Sequence, residues 1–199
     1  MPKGGSALTD RFSEALVYAH EAHRSQFRKS TTIPYISHLM SVASLVLENG
    51  GDEDEAIAAL LHDTAEDQGG AQRLDDIRTR FGGRVAKIVE ACSDSLETPK
   101  PPWRKRKERY LAHLRTADSS VLRVSSADKL HNIRSILSDW KQIGDQVWKR
   151  FHAGKDDQLW YYTELLKTFQ AGDAEPSLVE ELSLCVTLLR QIIEPDERT

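Results

Sequence analysis

Several architectures are ruled out by what this 199-residue chain lacks. It has two cysteines, Cys92 and Cys185, far apart and with no CxxC spacing. A disulfide framework, a zinc ribbon and a dithiol redox site are therefore excluded. Each cysteine sits inside an apolar helical pattern and is expected to act as a small buried hydrophobe. There is no uninterrupted apolar run of about eighteen residues and no charged-then-apolar leader at the start, so the expectation is a cytoplasmic protein with no membrane partner. Basic charge is not in excess: 27 Lys and Arg face 31 Asp and Glu, a net charge of −4, which argues against a general nucleic-acid binder. Strict alternation of apolar and polar residues is absent, as is any repeat of 20–50 residues, so neither sheets nor solenoids are expected. What is left is helix. The length suits one domain able to enclose a core without staples, and the reading is an all-α, single-domain bundle of about ten helices.

The helical pattern is densest before Leu60-Leu61-His62-Asp63-Thr64-Ala65-Glu66-Asp67. Asp54 to Leu61 are strong helix formers with apolar side chains at helical spacing, which places the His62-Asp63 and Glu66-Asp67 pairs at the C-terminal end of a buried helix. Residues three or four apart share a helix face, so one turn can present an imidazole and three carboxylates to a single cavity. Burying such a cluster is costly unless a cation sits in it. Imidazole with carboxylate suits a divalent ion such as Mn²⁺, Fe²⁺ or Zn²⁺. Taken alone, the pair reads more readily as a solvated helix terminus with an acidic cap.

Other stretches bear on that choice. His38 opens the preceding helix, whose apolar positions run from Leu39 to Leu47 before Gly50-Gly51 closes it. Two antiparallel helices would then bring His38 and His62 together. Further on, Asp128 lies in the very apolar helix from Val121 to Leu137, within Ala127-Asp128-Lys129-Leu130-His131-Asn132. An ionisable group there needs a partner, either a shared metal or a surface pairing with Lys129 or Arg134, and Asn132 lies one turn along the same face. Arg28, Lys29 and Ser30 are consecutive on a loop that precedes Pro34. A guanidinium that stacks and an ammonium that holds phosphate suit a nucleotide, although a solvated basic loop has the same composition. Six of the ten positions from Lys100 to Arg109 are basic. Most of that run reads as a solvated helix face, with Lys100, beside the prolines, the member placed to reach an anion. The aromatic-rich helical pair from Trp148 to Phe169 reads as core, although a Tyr there, with Lys155 before it, could close one side of a phosphate pocket. His20 and His23, near the end of the first helix, are read as dipole partners and not as ligands.

Four separated stretches, Arg28-Lys29-Ser30, Pro34-Tyr35-Ile36-Ser37-His38, the Leu60 to Asp67 segment and the Ala127 to Asn132 segment, resemble the HD-domain metal-dependent phosphohydrolases. More narrowly, they resemble the hydrolase domain of the Rel/SpoT alarmone enzymes and the small alarmone hydrolases of the Mesh1 type. The resemblance implies an HD-type helical fold over residues 8–170, with 1–7 a mobile tail and 171–199 a covering helix and its tail. It implies removal of the 3′-pyrophosphate from guanosine tetra- and pentaphosphate with one Mn²⁺ per chain, Zn²⁺, Fe²⁺ or Mg²⁺ being alternatives. It also implies roles: His38, His62, Asp63 and Asp128 as metal ligands, Glu66 and Asp67 as the acid/base pair, and Arg28, Lys29, Ser30, Asn132, Lys100 and Tyr161 as substrate contacts. The partner is a small nucleotide, and a homodimer is left open. Two other readings remain: an HD phosphohydrolase acting on adenosine 3′-pyrophosphates, NADPH or a nucleoside monophosphate, and a nucleotide sensor without turnover. The intact Glu66-Asp67 pair argues against the sensor.

Overall fold

The computed structural model describes residues 7–95, 97, 99–151 and 153–195. The expected mobility of residues 1–6 and the C-terminal tail at 196–199 lie outside the described residues. Among those described there are ten α-helices, one 3-10 helix and no strand. In chain order the α-helices are α1 (Asp10–Ala22), α2 (Ile36–Glu48), α3 (Glu53–Leu61), α4 (Thr64–Gln68), α5 (Gly70–Phe81), α6 (Gly83–Cys92), α7 (Trp103–Leu114), α8 (Ser119–Ile143), α9 (Lys155–Ala171) and α10 (Pro176–Ile193). The 3-10 helix, Gly144–Arg150, joins α8 to α9. No helix is long and apolar enough to cross a membrane.

At the centre is α3, whose residues from Ala56 to Leu61 are all buried. A helix apolar on every side is stable only when neighbours surround it, and α1, α2, α6 and α8 do so. Its start is fixed by a capping box: Asp52 Oδ1 accepts from the Glu55 amide at 3.0 Å, and the Asp52 amide donates to Glu55 Oε2 at 2.9 Å. The same Glu55, nearly inaccessible, accepts from Arg123 Nη1 at 2.9 Å on α8. That buried ion pair ties α3 to α8 and brings His62 and Asp128, seven and five residues further along, to the same depth.

The turn between α2 and α3 is tight. Gly50 has φ +77°, and a Cβ on Gly51 would meet Val46 Cγ1 at 2.4 Å. Only glycine lets the chain reverse this sharply, and the reversal is what sets His38 opposite His62. On the outer side α10 packs across α8 and α9, burying Leu178, Leu182, Val186, Leu189 and Ile193. Cys92 is buried at the end of α6, whereas Cys185 is partly exposed.

Candidate metal centre and nucleotide cavity

The helical reading of the central motif needs one correction. Helix α3 stops at Leu61, Asp63 sits near φ −93°, ψ −7°, and α4 restarts at Thr64. Adjacent side chains on a helix diverge by about 100°, yet at this junction, where both residues keep right-handed helical backbone angles, His62 Nε2 lies 3.1 Å from Asp63 Oδ2. Both Glu66 oxygens are taken by the chain that follows α6, Oε1 by Lys100 Nζ at 2.7 Å and Oε2 by the Asp94 amide at 2.7 Å.

Four ligand atoms converge from α2, the α3–α4 turn and α8. His38, His62 and Asp128 each offer an atom, all within 4.8 Å of one another. Asp63 Oδ2 joins them, 3.5 Å from His38 Nε2, and Asp128 Oδ1 is 3.2 Å from His38 Nε2 and 3.5 Å from His62 Nε2. Both Nε2 atoms are fully buried and have no hydrogen-bond partner. Two orphaned imidazole nitrogens facing two carboxylate oxygens form a donor set that fits a divalent cation. Burial would push His62 down, but the Asp63 and Asp128 carboxylates overcome it and hold His62 well above its ordinary value. Burial likewise acts to raise both carboxyls, yet His62 and, at Asp128, the adjacent Lys129 hold them well below the carboxylate range. The cage therefore keeps its negative charge and takes a positive one, proton or metal.

A ring of further contacts aims these ligands. His62 Nδ1 donates to the Ala59 carbonyl at 2.8 Å, so that Nε2 is the atom that faces the cage and offers a lone pair once the ring is neutral. Tyr35 donates to Asp63 Oδ2 at 2.5 Å. Asp128 Oδ2 accepts from Lys129 Nζ at 2.5 Å and Oδ1 from Asn132 Nδ2 at 2.6 Å. The sequence offered Lys129 as an alternative to the cage, but the buried carboxylate serves both. Arg134 instead pairs with Glu181.

Beside the cage lies a cavity of about 620 Å³ whose walls include Arg28, Lys29, Tyr35, Asn132, Arg150 and Phe151. Arg28 Nη2 donates to Asn132 Oδ1 at 2.8 Å, and its guanidinium sits 5.8 Å from the Tyr35 ring centre. Lys29 Nζ lies 5.6 Å from the centre of the Phe151 ring. None of the four cage residues lines this cavity, which adjoins the cage through Tyr35, His131 and Asn132, the partners of Asp63, His38 and Asp128; a larger hollow of about 810 Å³ between α1 and α5, around Tyr18, Arg73 and Arg80, has no such link.

Not every expected residue joins the site. Ser30 is exposed at the loop tip with φ +57° and does not line the cavity. Lys100 reaches Glu66 and not an open phosphate pocket. Tyr161 is an interior residue of α9 that faces α7, with Lys107 Nζ 4.8 Å from its ring centre and a buried hydroxyl that has no partner among the described residues. Asp67 accepts from Gln26 Nε2 at 2.8 Å. Desolvation, then the Asp63 charge, lifts its carboxyl above the usual range.

Four positions differ from the sequence reading or escaped it. His23, expected as a dipole partner at the end of the first helix, is the residue that ends α1 and is buried, stacked on Tyr35 at 5.1 Å, with Nε2 3.2 Å from Thr64 Oγ1. The basic run is not wholly a solvated face, since Arg106 and Lys107 fold inward onto Asp94. Burial, then the charges of Lys129 and Arg106, pushes Lys107 down to about 7. His131, which no sequence reading singled out, lies with Nδ1 2.8 Å from His38 Nδ1. Its place three residues after Asp128, on the same helix face, was the available signal. Burial, then the His38 and Arg28 charges, pushes it down to about 4.

A helical bundle that holds two histidines and two aspartates in one cage, with a His-Asp pair at its centre, defines a class. The HD-domain family (HD_4) matches residues 15–159, and the chain belongs to that family. Within it the chain is similar to the guanosine-3′,5′-bis(diphosphate) 3′-pyrophosphohydrolase MESH1 of Xenopus tropicalis, 37% identical over 138 residues that cover 68% of this chain and 72% of that protein. Human MESH1 is 35% identical over 126 residues, covering 62% and 68% of the two chains. The Haemophilus influenzae guanosine-3′,5′-bis(diphosphate) 3′-pyrophosphohydrolase is 35% identical over 60% of this chain, but the match spans only 18% of that longer protein. A metazoan SpoT ortholog that hydrolyses ppGpp shares the fold, with a TM-score of 0.75 at 23% identity over 92% of this chain and 98% of that one. The Listeria monocytogenes EGD-e protein lmo0812 superposes with a TM-score of 0.67 at 29% identity, over 76% of this chain and 97% of its own.

Proposed function

We propose that this protein hydrolyses the 3′-pyrophosphate of guanosine tetra- and pentaphosphate, giving pyrophosphate and GDP or GTP, with one Mn²⁺ per chain held by His38, His62, Asp63 and Asp128. The observation that carries the reading is the pair of buried, unpartnered imidazole nitrogens facing two carboxylates beside a basic cavity of nucleotide size. The MESH1 relatives, similar over two thirds of their length, support the choice of substrate. The catalytic unit is taken as residues 8–170, with 171–199 as its cover.

The chain's own groups divide the work. Arg28 and Tyr35 offer a cation and an aromatic face to a base, and Lys29 supplies a point charge for phosphate. Asn132, between Arg28 and Asp128, links base recognition to the cage. A divalent ion in the cage neutralises phosphoryl charge and makes water more acidic. Glu66 and Asp67 take the proton of the attacking water and return one to the ribose 3′-oxygen as its bond to phosphorus breaks. Lys100 leaves Glu66 for the incoming phosphate.

The test is an assay with Mn²⁺ on guanosine and adenosine 3′-pyrophosphates, with products separated by anion exchange. The reading expects GDP and intact pyrophosphate in equal amounts, with the guanosine substrate preferred. Release of orthophosphate, or no turnover of either substrate, contradicts it.

A further inference from the structure

The two cage imidazoles are aimed by different kinds of partner. His62 Nδ1 faces a backbone carbonyl, which only accepts, so its tautomer is fixed outright. His38 Nδ1 faces another imidazole, that of His131, at 2.8 Å with ring centres 4.8 Å apart. One hydrogen lies between those two nitrogens, and either ring can own it. If His131 owns it, a neutral His38 carries its own hydrogen on Nε2, which points into the cage and repels a cation. If His38 owns it, Nε2 presents a lone pair to the cage.

We propose that His131 is a positioning residue that makes His38 a metal ligand, by accepting the His38 Nδ1 hydrogen and fixing the ring's angle. The inference rests on the reading of the cage as a divalent-ion site and not on the identity of the nucleotide. His38 itself is fully buried; its Nδ1 faces His131 Nδ1, while its Nε2 faces the Asp63 and Asp128 carboxylates. The requirement at position 131 is therefore specific: an acceptor where Nδ1 lies. Asparagine puts its Oδ1 near that point, glutamine reaches instead toward the Nε2 position, and leucine fills the volume with no acceptor at all.

The experiment compares the wild type with His131→Asn, His131→Gln and His131→Leu. Mn²⁺ affinity is measured by competition with a chelating dye, and the visible spectrum of the Co²⁺ form is recorded, both without substrate. Affinity of His131→Asn is expected within about threefold of the wild type, while His131→Leu and His131→Gln weaken binding by about 10–100-fold, the usual effect of losing an outer-shell partner. The Co²⁺ spectrum should change in the latter two alone. If the leucine variant fails to fold by circular dichroism, the asparagine and glutamine variants decide between them. Equal Mn²⁺ affinity in all folded variants overturns the role of His131. A wild type that binds no divalent ion overturns the cage reading and this inference with it, whereas failure to hydrolyse the guanosine substrate with metal bound overturns only the proposed substrate.

Discussion

Lys100 Nζ lies 2.7 Å from Glu66 Oε1, across 34 residues of sequence. With Oε2 accepting the Asp94 amide, neither oxygen of the proposed base is free until Lys100 moves to a phosphate. Glu66→Gln should keep the metal content of the wild type and lower kcat by about 10²-fold or more, as expected for loss of a general base. Lys100→Ala should leave kcat within about threefold and raise KM roughly tenfold, the worth of one charge-assisted hydrogen bond. Steady-state kinetics alongside metal analysis separates the two. A Glu66→Gln enzyme of normal kcat removes Glu66 from the chemistry.

The Arg28 to Asn132 to Asp128 chain predicts a coupled loss. Asn132→Ala frees Arg28 Nη2 and strips a donor from the cage oxygen of Asp128. Both KM for the nucleotide and the concentration of Mn²⁺ that gives half-maximal rate should rise, each by about tenfold, one lost hydrogen bond to a charged group. A change in KM alone would show that Asn132 serves only the nucleotide.

Lys107 predicts a pH-dependent stability. Its ammonium is pushed from 10.5 down to about 7 by burial and by Lys129 and Arg106. Between those values the unfolded chain binds a proton that the folded chain does not, so this residue makes stability rise with pH from about 7 to 10.5. The contribution is fully present above the upper value and is lost as pH falls through the lower one. Urea unfolding of the wild type and Lys107→Met at pH 7, 8 and 9 should show this rise in the wild type and a flatter line in the variant. Parallel lines contradict the assignment.

Much of this was legible from spacing. The apolar stretches around Leu39 to Leu47, Asp54 to Leu61 and Val121 to Leu137 mark the helices that carry the cage, and Gly50-Gly51 marks the reversal between two of them. Spacing was silent on what Glu66 meets: its Oε1 accepts from Lys100, 34 residues further on, a contact that no helical pattern reports. Composition failed at Lys107 and His23, because a charged side chain buried by one tertiary partner looks the same in sequence as one facing water. His131 escaped notice for a related reason: its partner is 93 residues away, and no local pattern reports a contact of that range.

The central claim is that three distant segments hold one divalent ion. Metal analysis of protein purified with Mn²⁺, on the wild type and on His62→Ala, Asp63→Ala and Asp128→Ala, tests it most directly. The account predicts about one equivalent of Mn²⁺ in the wild type and little or none in each folded variant, because a cage short of one of its four ligands loses most of its affinity. A wild type without stoichiometric metal, or variants that retain it in full, would contradict the account.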